Sequence, residues 1–419
     1  MKNFDSTLKK VKQASSDIQL LKTKTKNAVL RDLRLLLIAS TRKILAANAR
    51  DFLRLTVSYP HADRLRLTSE RIKGIAESLK AVEHLPDPVG HRIDHRVLKN
   101  GLTIERCTVP FGVVGIIYEA RPNVTIEVFS LAIKSGNALV LKGGRDAYET
   151  NKVLVGLIHR VLLMNGINPQ AVVLLDSFNS SSVDRLLQAN QYLDVIIPRG
   201  SSRLIEYARR NSTVPLIETG AGVCHIYVER SANLNWAVQT VFNAKTRRVS
   251  VCNALDTLVV DRIVASKLFK ILGPKLAQAG VKIYADRTSY SILHSVYPRV
   301  LLHHAQPSHY GKEFLSLTMS VKVVKNWHEG VNHIQRYTSK HSESIITSNS
   351  KIAKQFQQVI DAAVVYINTS IAFTDGYEFG LGGEIGISTQ KLHARGPMAL
   401  QELTTYKWLV RSHGAVRAA

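Results

Sequence analysis

Phe111-Gly112-Val113-Val114-Gly115-Ile116-Ile117-Tyr118 is the stretch on which the fold turns. Residues 113–118 form a short apolar run that reads as a buried strand. Downstream, residues 138–141, 171–175, 194–197 and 214–217 read as further strands, with helical stretches between them. One such stretch carries Val153, Leu154, Leu157, Ile158 and Val161 as a single apolar stripe. Strands and amphipathic helices in alternation predict a parallel sheet covered by helices on both faces. A second set of strands follows at 225–229, 258–260, 321–324, 344–347 and 364–367. The expected fold class is therefore α/β, with two α/β domains in series.

Upstream, the first 85 residues or so read as helices. Ile72, Ile75, Ala76, Leu79 and Val82 recur at helical spacing, with Thr68 placed to cap the helix and Glu70 in its first turn. Pro86-Asp87-Pro88-Val89-Gly90 stops helix formation. Residues 91–109 alternate loosely around Asn100-Gly101, a good hairpin signal. A hairpin so rich in His, Arg and Lys has little core of its own, and could protrude and pair with another subunit.

The chain has 419 residues, too many for one core and enough for two or three domains. Hydrophobic residues make up 45% and charged residues 21%, an ordinary balance for a globular protein. The longest apolar run in the N-terminal region is residues 35–39, whereas a bilayer span needs about 20 residues. No membrane association is expected, and the polar, lysine-rich start does not read as a secretory signal, so a cytoplasmic location is expected. The 56 basic against 32 acidic residues give a net charge of +24. Such a surface could bind nucleic acid, gather small anions, or be merely solvated. The basic residues are dispersed and no nucleic-acid-binding motif accompanies them, so nucleic-acid binding as a main function is not expected.

Three cysteines occur, at 107, 224 and 252, with no Cys-x-x-Cys pair, so neither a disulfide framework nor a metal site is expected. Cys107 and Cys224 read as small buried hydrophobes. Cys252 lies in Asn243-Ala-Lys-Thr-Arg-Arg-Val-Ser-Val-Cys-Asn253, after a cationic loop and before a strand. Nearby cations raise the thiolate fraction of a cysteine, although an inert buried thiol is an equal reading of the residues alone. No G-x-G-x-x-G loop follows residues 113–118. Instead, the strand ending Lys142-Gly143-Gly144-Arg145 offers two glycines that let a ligand approach the backbone, flanked by phosphate-seeking cations. Arg199-Gly200-Ser201-Ser202 opens a second helix whose N-terminus could receive an anion or could simply be capped.

Longer motifs carry a resemblance. They include Leu85-Pro-Asp-Pro-Val-Gly90, Gly115-Ile-Ile-Tyr-Glu-Ala-Arg-Pro-Asn-Val-Thr125, Lys134-Ser-Gly-Asn137, Gly222-Val-Cys-His-Ile-Tyr227, Phe373-Thr-Asp-Gly376, Ile387-Ser-Thr-Gln-Lys-Leu-His-Ala-Arg-Gly-Pro397 and Leu403-Thr-Thr-Tyr-Lys407. With Asn243-Ala-Lys-Thr246 and Cys252-Asn253, they run nearly end to end and resemble the γ-glutamyl phosphate reductases, a branch of the aldehyde dehydrogenase superfamily. The resemblance implies an aldehyde-dehydrogenase-like fold, with an NADP-binding domain (1–88 and 110–220), a catalytic domain (221–398), and a small β oligomerisation element made of a hairpin (89–109) and a tail (399–419). It implies NADPH-dependent reduction of L-glutamyl 5-phosphate to glutamate semialdehyde in proline biosynthesis, a homo-oligomer, and a glutamate 5-kinase as candidate partner.

By the same resemblance Cys252 is the nucleophile and Asn123 an oxyanion donor. Lys142, Gly143, Gly144, Arg199, Gly200 and Glu313 fall to the cofactor NADP(H), and Glu218 matches the superfamily's general base. Arg247, His341, Lys391 and Arg395 are candidates for meeting the anionic substrate. An acyl phosphate needs no deacylating water, so Glu218 could be dispensable. Two departures stand out. Lys142-Gly-Gly-Arg145 replaces a pattern that begins with Arg, and Ala372 stands where the family carries an arginine, whose charge Arg247 could supply. Two rivals stay open: aldehyde oxidation with Glu218 activating water, and a basic binding protein without turnover.

Overall fold

The computed structural model describes residues 2–55, 62–119, 121–179 and 181–417. Ala120, inside one of the quoted motifs, and residues 418–419 of the expected tail lie outside them. Two compact units result: Met1–Thr219 with Gly380–Gly386 and Pro397–Ala419, and Gly220–Phe379 with Ile387–Gly396.

The first unit opens with the helices Lys2–Gln19, Thr23–Ala39, Thr41–Phe52, Ala62–Leu65 and Ser69–His84. In Ser69–His84 the five apolar residues at helical spacing are the buried ones. Thr68 caps this helix, its hydroxyl accepting the Arg71 N–H at 3.2 Å. Two buried lysines tie these helices to segments further along the chain. Lys26 donates to both Asp87 oxygens at 2.9 and 3.0 Å, and Lys134 to Asn27 Oδ1 at 2.7 Å and the Glu83 carbonyl at 2.8 Å. A buried ammonium is tolerated where its hydrogens find such acceptors.

The sheet of this unit has four parallel strands in the order Val172–Leu174, Ala138–Gly143, Val113–Tyr118, Val195–Arg199. Every residue of Val113–Tyr118 is buried, as a strand covered on both faces requires. The chain builds outward on one side of Val113–Tyr118, then crosses to the other. In open α/β sheets, ligands bind outside the strand carboxyl ends at such a reversal. Gly143, Gly144, Arg199 and Gly200 all lie at that edge. The strand expected at 214–217 is not one. Only Leu216 makes an isolated bridge, to Ile196. Pro215 has no N–H to offer a ladder, and the Val214 N–H turns back to the Leu187 carbonyl.

A separate three-stranded antiparallel sheet joins Arg92–Val97, Thr103–Pro110 and Thr404–Arg411, with Thr103–Pro110 in the middle. The hairpin turns at Asn100-Gly101, where Gly101 has φ 83°, a conformation that costs glycine nothing. Most of Arg92–Val97 and Thr404–Arg411 is exposed, Tyr406, Trp408 and Val410 included.

The second unit carries seven parallel strands in the order Leu302–His304, Lys282–Ala285, Thr318–Val324, Leu255–Asp261, Cys224–Val228, Ser342–Ile346, Val364–Ile367. The five expected strands are present. Lys282–Ala285 and Leu302–His304 are additional. The central strand Leu255–Asp261 is wholly buried, and a core of Ile226, Leu258, Leu268, Phe269 and Val321 packs around it.

Candidate active site

The helix Leu234–Thr246 and the strand Leu255–Asp261 are joined by a short loop that carries Cys252, half-buried, near its end. Three groups of the second unit fix the main chain there. The Cys224 thiol donates to the Cys252 carbonyl at 3.3 Å. The Asn253 amide donates to the carbonyls of Ala372 at 3.1 Å and Thr374 at 3.0 Å. Gly222 passes so close that a Cβ on it would lie 1.7 Å from the Cys252 carbonyl oxygen, a space only glycine leaves open.

His341 faces the sulfur. Its Nε2 lies 3.2 Å from Cys252 Sγ, and its Nδ1 lies 2.8 Å from the Ser342 hydroxyl. Lys340, in the left-handed region at φ 66°, bends the chain just before it. The imidazole is fully buried, and burial pushes its pKa down to about 4. It is therefore neutral near pH 7, and one ring nitrogen accepts while the other donates. His341 thus lies beside the Cys252 sulfur, where the sequence had suggested a substrate contact. The 89 residues separating it from Cys252 hid this pairing.

Around this pair, Lys245 donates to the Leu255 carbonyl at 2.7 Å, and burial draws its pKa down to about 8. Burial lifts Asp256 the other way, to about 7. The Glu313 carboxylate accepts the Gly222 N–H at 3.1 Å, which sets it against the segment that packs on the Cys252 main chain. Arg247 is exposed at the end of Leu234–Thr246, and Ala372 is buried in the turn Ile371–Phe373. Lys391 and Arg395 gather on Asp361, at 3.2 and 2.6 Å, with Lys340 at 3.3 Å. Three cations on one carboxylate hold it well below the usual carboxylate range, chiefly through Arg395, and leave the cluster cationic.

In the first unit, Lys142 is buried, with Nζ 3.4 Å from the Ser177 carbonyl; Arg145 reaches the carbonyls of Ser177 at 3.4 Å and Phe178 at 3.2 Å. Burial lowers the Lys142 pKa. Gly143 and Gly200 have protein neighbours on the side where a Cβ would point. A Cβ on Gly143 would meet the Asn151 amide at 2.5 Å, and one on Gly200 the Glu119 carboxylate at 2.7 Å. Glu119 also accepts the Ser201 N–H at 2.9 Å, and Ser201 caps the helix Ser202–Asn211 through the Leu204 N–H. The Asn123 amide gives one hydrogen to Glu127 at 2.8 Å, one turn along Pro122–Lys134. Glu218 is clasped by the Arg209 guanidinium, with Nε at 2.9 Å.

A half-buried thiol against a neutral imidazole suits nucleophilic attack on an activated acyl group. Lysine and arginine at the carboxyl edge of the first unit's sheet have the donor chemistry for a phosphorylated nicotinamide cofactor, and Lys142 Nζ, with one long contact, retains hydrogens to give.

No family model matches the chain. It is 51% identical over 411 residues to a γ-glutamyl phosphate reductase of Chlorobium phaeobacteroides, covering 98% of each chain. The crystal structure of γ-glutamyl phosphate reductase from Thermotoga maritima is 40% identical, with a TM-score of 0.93 over 99% of this chain and 100% of that one. An acetylating aldehyde dehydrogenase from Geobacillus thermoglucosidasius, 15% identical, shares the fold with a TM-score of 0.72 over 100% of this chain and 97% of its own. The fold is aldehyde-dehydrogenase-like, and the chain belongs to the γ-glutamyl phosphate reductase family.

Proposed function

We propose that this chain reduces L-glutamyl 5-phosphate to L-glutamate 5-semialdehyde and phosphate with NADPH, the reductive step of proline biosynthesis, through a thioester on Cys252. The observation that carries the mechanism is His341 Nε2 at 3.2 Å from Cys252 Sγ. As a neutral base, His341 accepts the thiol proton while the sulfur attacks the acyl carbon. Phosphate is a good leaving group, so the tetrahedral adduct collapses to a thioester. The Cys252 N–H and the second hydrogen of the Asn123 amide are the oxyanion donors of this reading. When bound, the nicotinamide supplies the hydride that reduces the thioester. His341 then returns its proton to the departing sulfur as the aldehyde leaves.

Lys142, Gly143, Gly144, Arg199, Gly200 and Glu313 are the groups proposed to hold the cofactor. Arg247 and the cations at Lys391 and Arg395 are proposed to draw in the dianionic substrate. Glu218 supports no water-activating role: Arg209 holds its carboxylate, and a thioester consumed by hydride needs no hydroxide. That weighs against aldehyde oxidation. The exposed small sheet is proposed to pair subunits of a homo-oligomer, and glutamate 5-kinase is proposed as the enzyme that hands on the labile substrate. No helix among the described residues is long and apolar enough to cross a membrane; a cytoplasmic site of action remains part of this proposal.

The test couples glutamate kinase, ATP and glutamate to NADPH oxidation. Wild type is expected to turn over and Cys252→Ala to show none. NADPH consumption that survives Cys252→Ala removes the thioester mechanism.

A further inference from the structure

Behind His341 the structure continues as a row of hydroxyls. His341 Nδ1 lies 2.8 Å from Ser342 Oγ, Ser342 Oγ 2.6 Å from Thr374 Oγ1, and Thr374 Oγ1 2.9 Å from the Tyr366 hydroxyl. Ser342 and Thr374 are buried, whereas Tyr366 is only partly so. Each member can donate or accept, so the row has two polarities. In one, Nδ1–H donates to Ser342, each hydroxyl donates to the next, and Nε2 is an acceptor aimed at Cys252. In the other, all bonds point back toward Nδ1 and Nε2–H donates to the sulfur.

We infer that Ser342, Thr374 and Tyr366 form a proton relay that ionises Cys252 by reversing its polarity, so that His341 passes the proton on without accumulating as an imidazolium. The atoms balance. The Cys252 S–H proton moves to Nε2, and the Nδ1 proton to Ser342. The Ser342 proton moves to Thr374, the Thr374 proton to Tyr366, and the Tyr366 proton leaves at the partly exposed end. One proton is released, and the thiolate is left accepting from Nε2–H. This rests on the reading of Cys252 as nucleophile and His341 as its base, and it gives Ser342, Thr374 and Tyr366 the status of positioning residues.

The surroundings fit a relay better than an ion pair. Burial holds His341 near a pKa of about 4, so a lasting charge on the ring is costly. Desolvation also pushes Tyr366 up to about 12, keeping it a phenol able to donate and accept. The titratable groups nearest the ring are Cys252 on Nε2 and Cys224, 3.7 Å from Nδ1. Cys224 stays a thiol because burial raises its pKa well above the usual value, and its hydrogen goes to the Cys252 carbonyl, so Nδ1 is left to Ser342. Asp256, Glu343 and Lys245 act on Cys224 from beyond it, the first two opposing a second thiolate.

Alkylation of Cys252 by iodoacetamide tests this without substrate or cofactor. Its rate is followed by peptide mass mapping from about pH 6 to about pH 9, across the range where cysteines titrate. Thr374→Val keeps the shape and removes the middle hydroxyl. It is expected to slow alkylation near pH 7 about tenfold and to raise the midpoint by about one unit. Thr374→Ser restores the hydroxyl and is expected to restore the wild-type profile. Tyr366→Phe should move the midpoint in the same direction as Thr374→Val. A wild-type profile in Thr374→Val overturns the relay, as does a Thr374→Ser variant displaced as far as the valine. His341→Ala separates the two levels: a shift there alone leaves His341 as base and removes the relay, and no shift in either variant removes both.

Discussion

A missing methyl group decides the geometry of the Cys252 main chain. With a Cβ at Gly222, the Cys252 carbonyl would have to move, and with it the hydrogen bond from Cys224. Gly222→Ala is therefore expected to lower kcat by at least about 10²-fold, in line with the cost of a misplaced reacting group. Melting temperature and kcat measured side by side check it; an alanine variant with near-normal kcat would show that the loop has slack. At this scale the cationic loop before Cys252 left an inert thiol an equal reading; Cys224 was rightly read as buried, whereas Cys107, read the same way, is only half-buried. The role of Cys224 in holding the Cys252 carbonyl was not legible, nor were the hydroxyls of Ser342 and Thr374. Serine and threonine in a strand or turn look alike whether they face water or a buried ring. Only the alignment of Ser342–Ile346 beside Cys224–Val228 brings His341 to the sulfur.

Among elements, helices with one apolar stripe were the clearest. Ser69–His84 buries the residues its spacing selects, and its cap is Thr68. Thr68→Ala should destabilise the first unit by about 1 kcal/mol, the usual cost of losing such a cap. Urea unfolding at equal m-value would register it, and an unchanged midpoint would mean that the helix is held by packing alone. The short strands at one end of the seven-stranded sheet were the hardest. Lys282–Ala285 and Leu302–His304 are only four and three residues long and hold Lys, Tyr and two His, so period-two patterning had little to detect. They form because Thr318–Val324 and its neighbours present a ready edge. Residues 214–217 show the reverse case, an apolar stretch that Pro215 keeps out of the ladder.

For the molecule as a whole, two α/β units in series were readable from alternation alone; the family's fold was readable only from long motifs. The balance of charge, +24, says little about fold but bears on behaviour in acid. His341 and His333 are buried, and burial lowers their folded pKa values from 6.5 to about 4 and about 3. The unfolded chain takes up these protons first. Stability is therefore whole above about pH 6.5 and is lost as pH falls from there toward about 3. His333→Gln, which removes one such group away from the sulfur, should shrink the fall in urea midpoint between about pH 7.5 and about pH 5. Equal falls in variant and wild type would assign the acid sensitivity elsewhere.

The small antiparallel sheet joins Glu105 to Arg411 across 306 residues. During synthesis, one side of Thr103–Pro110 must stay open while the entire second unit is made, since its partner strand is translated only afterwards. That interval exposes a bare strand edge to neighbouring nascent chains. Arg92, Arg96, Lys99 and Arg106 outnumber Asp94 and Glu105 on the hairpin, and this excess of positive charge opposes pairing at the bare edge until Thr404–Arg411 arrives.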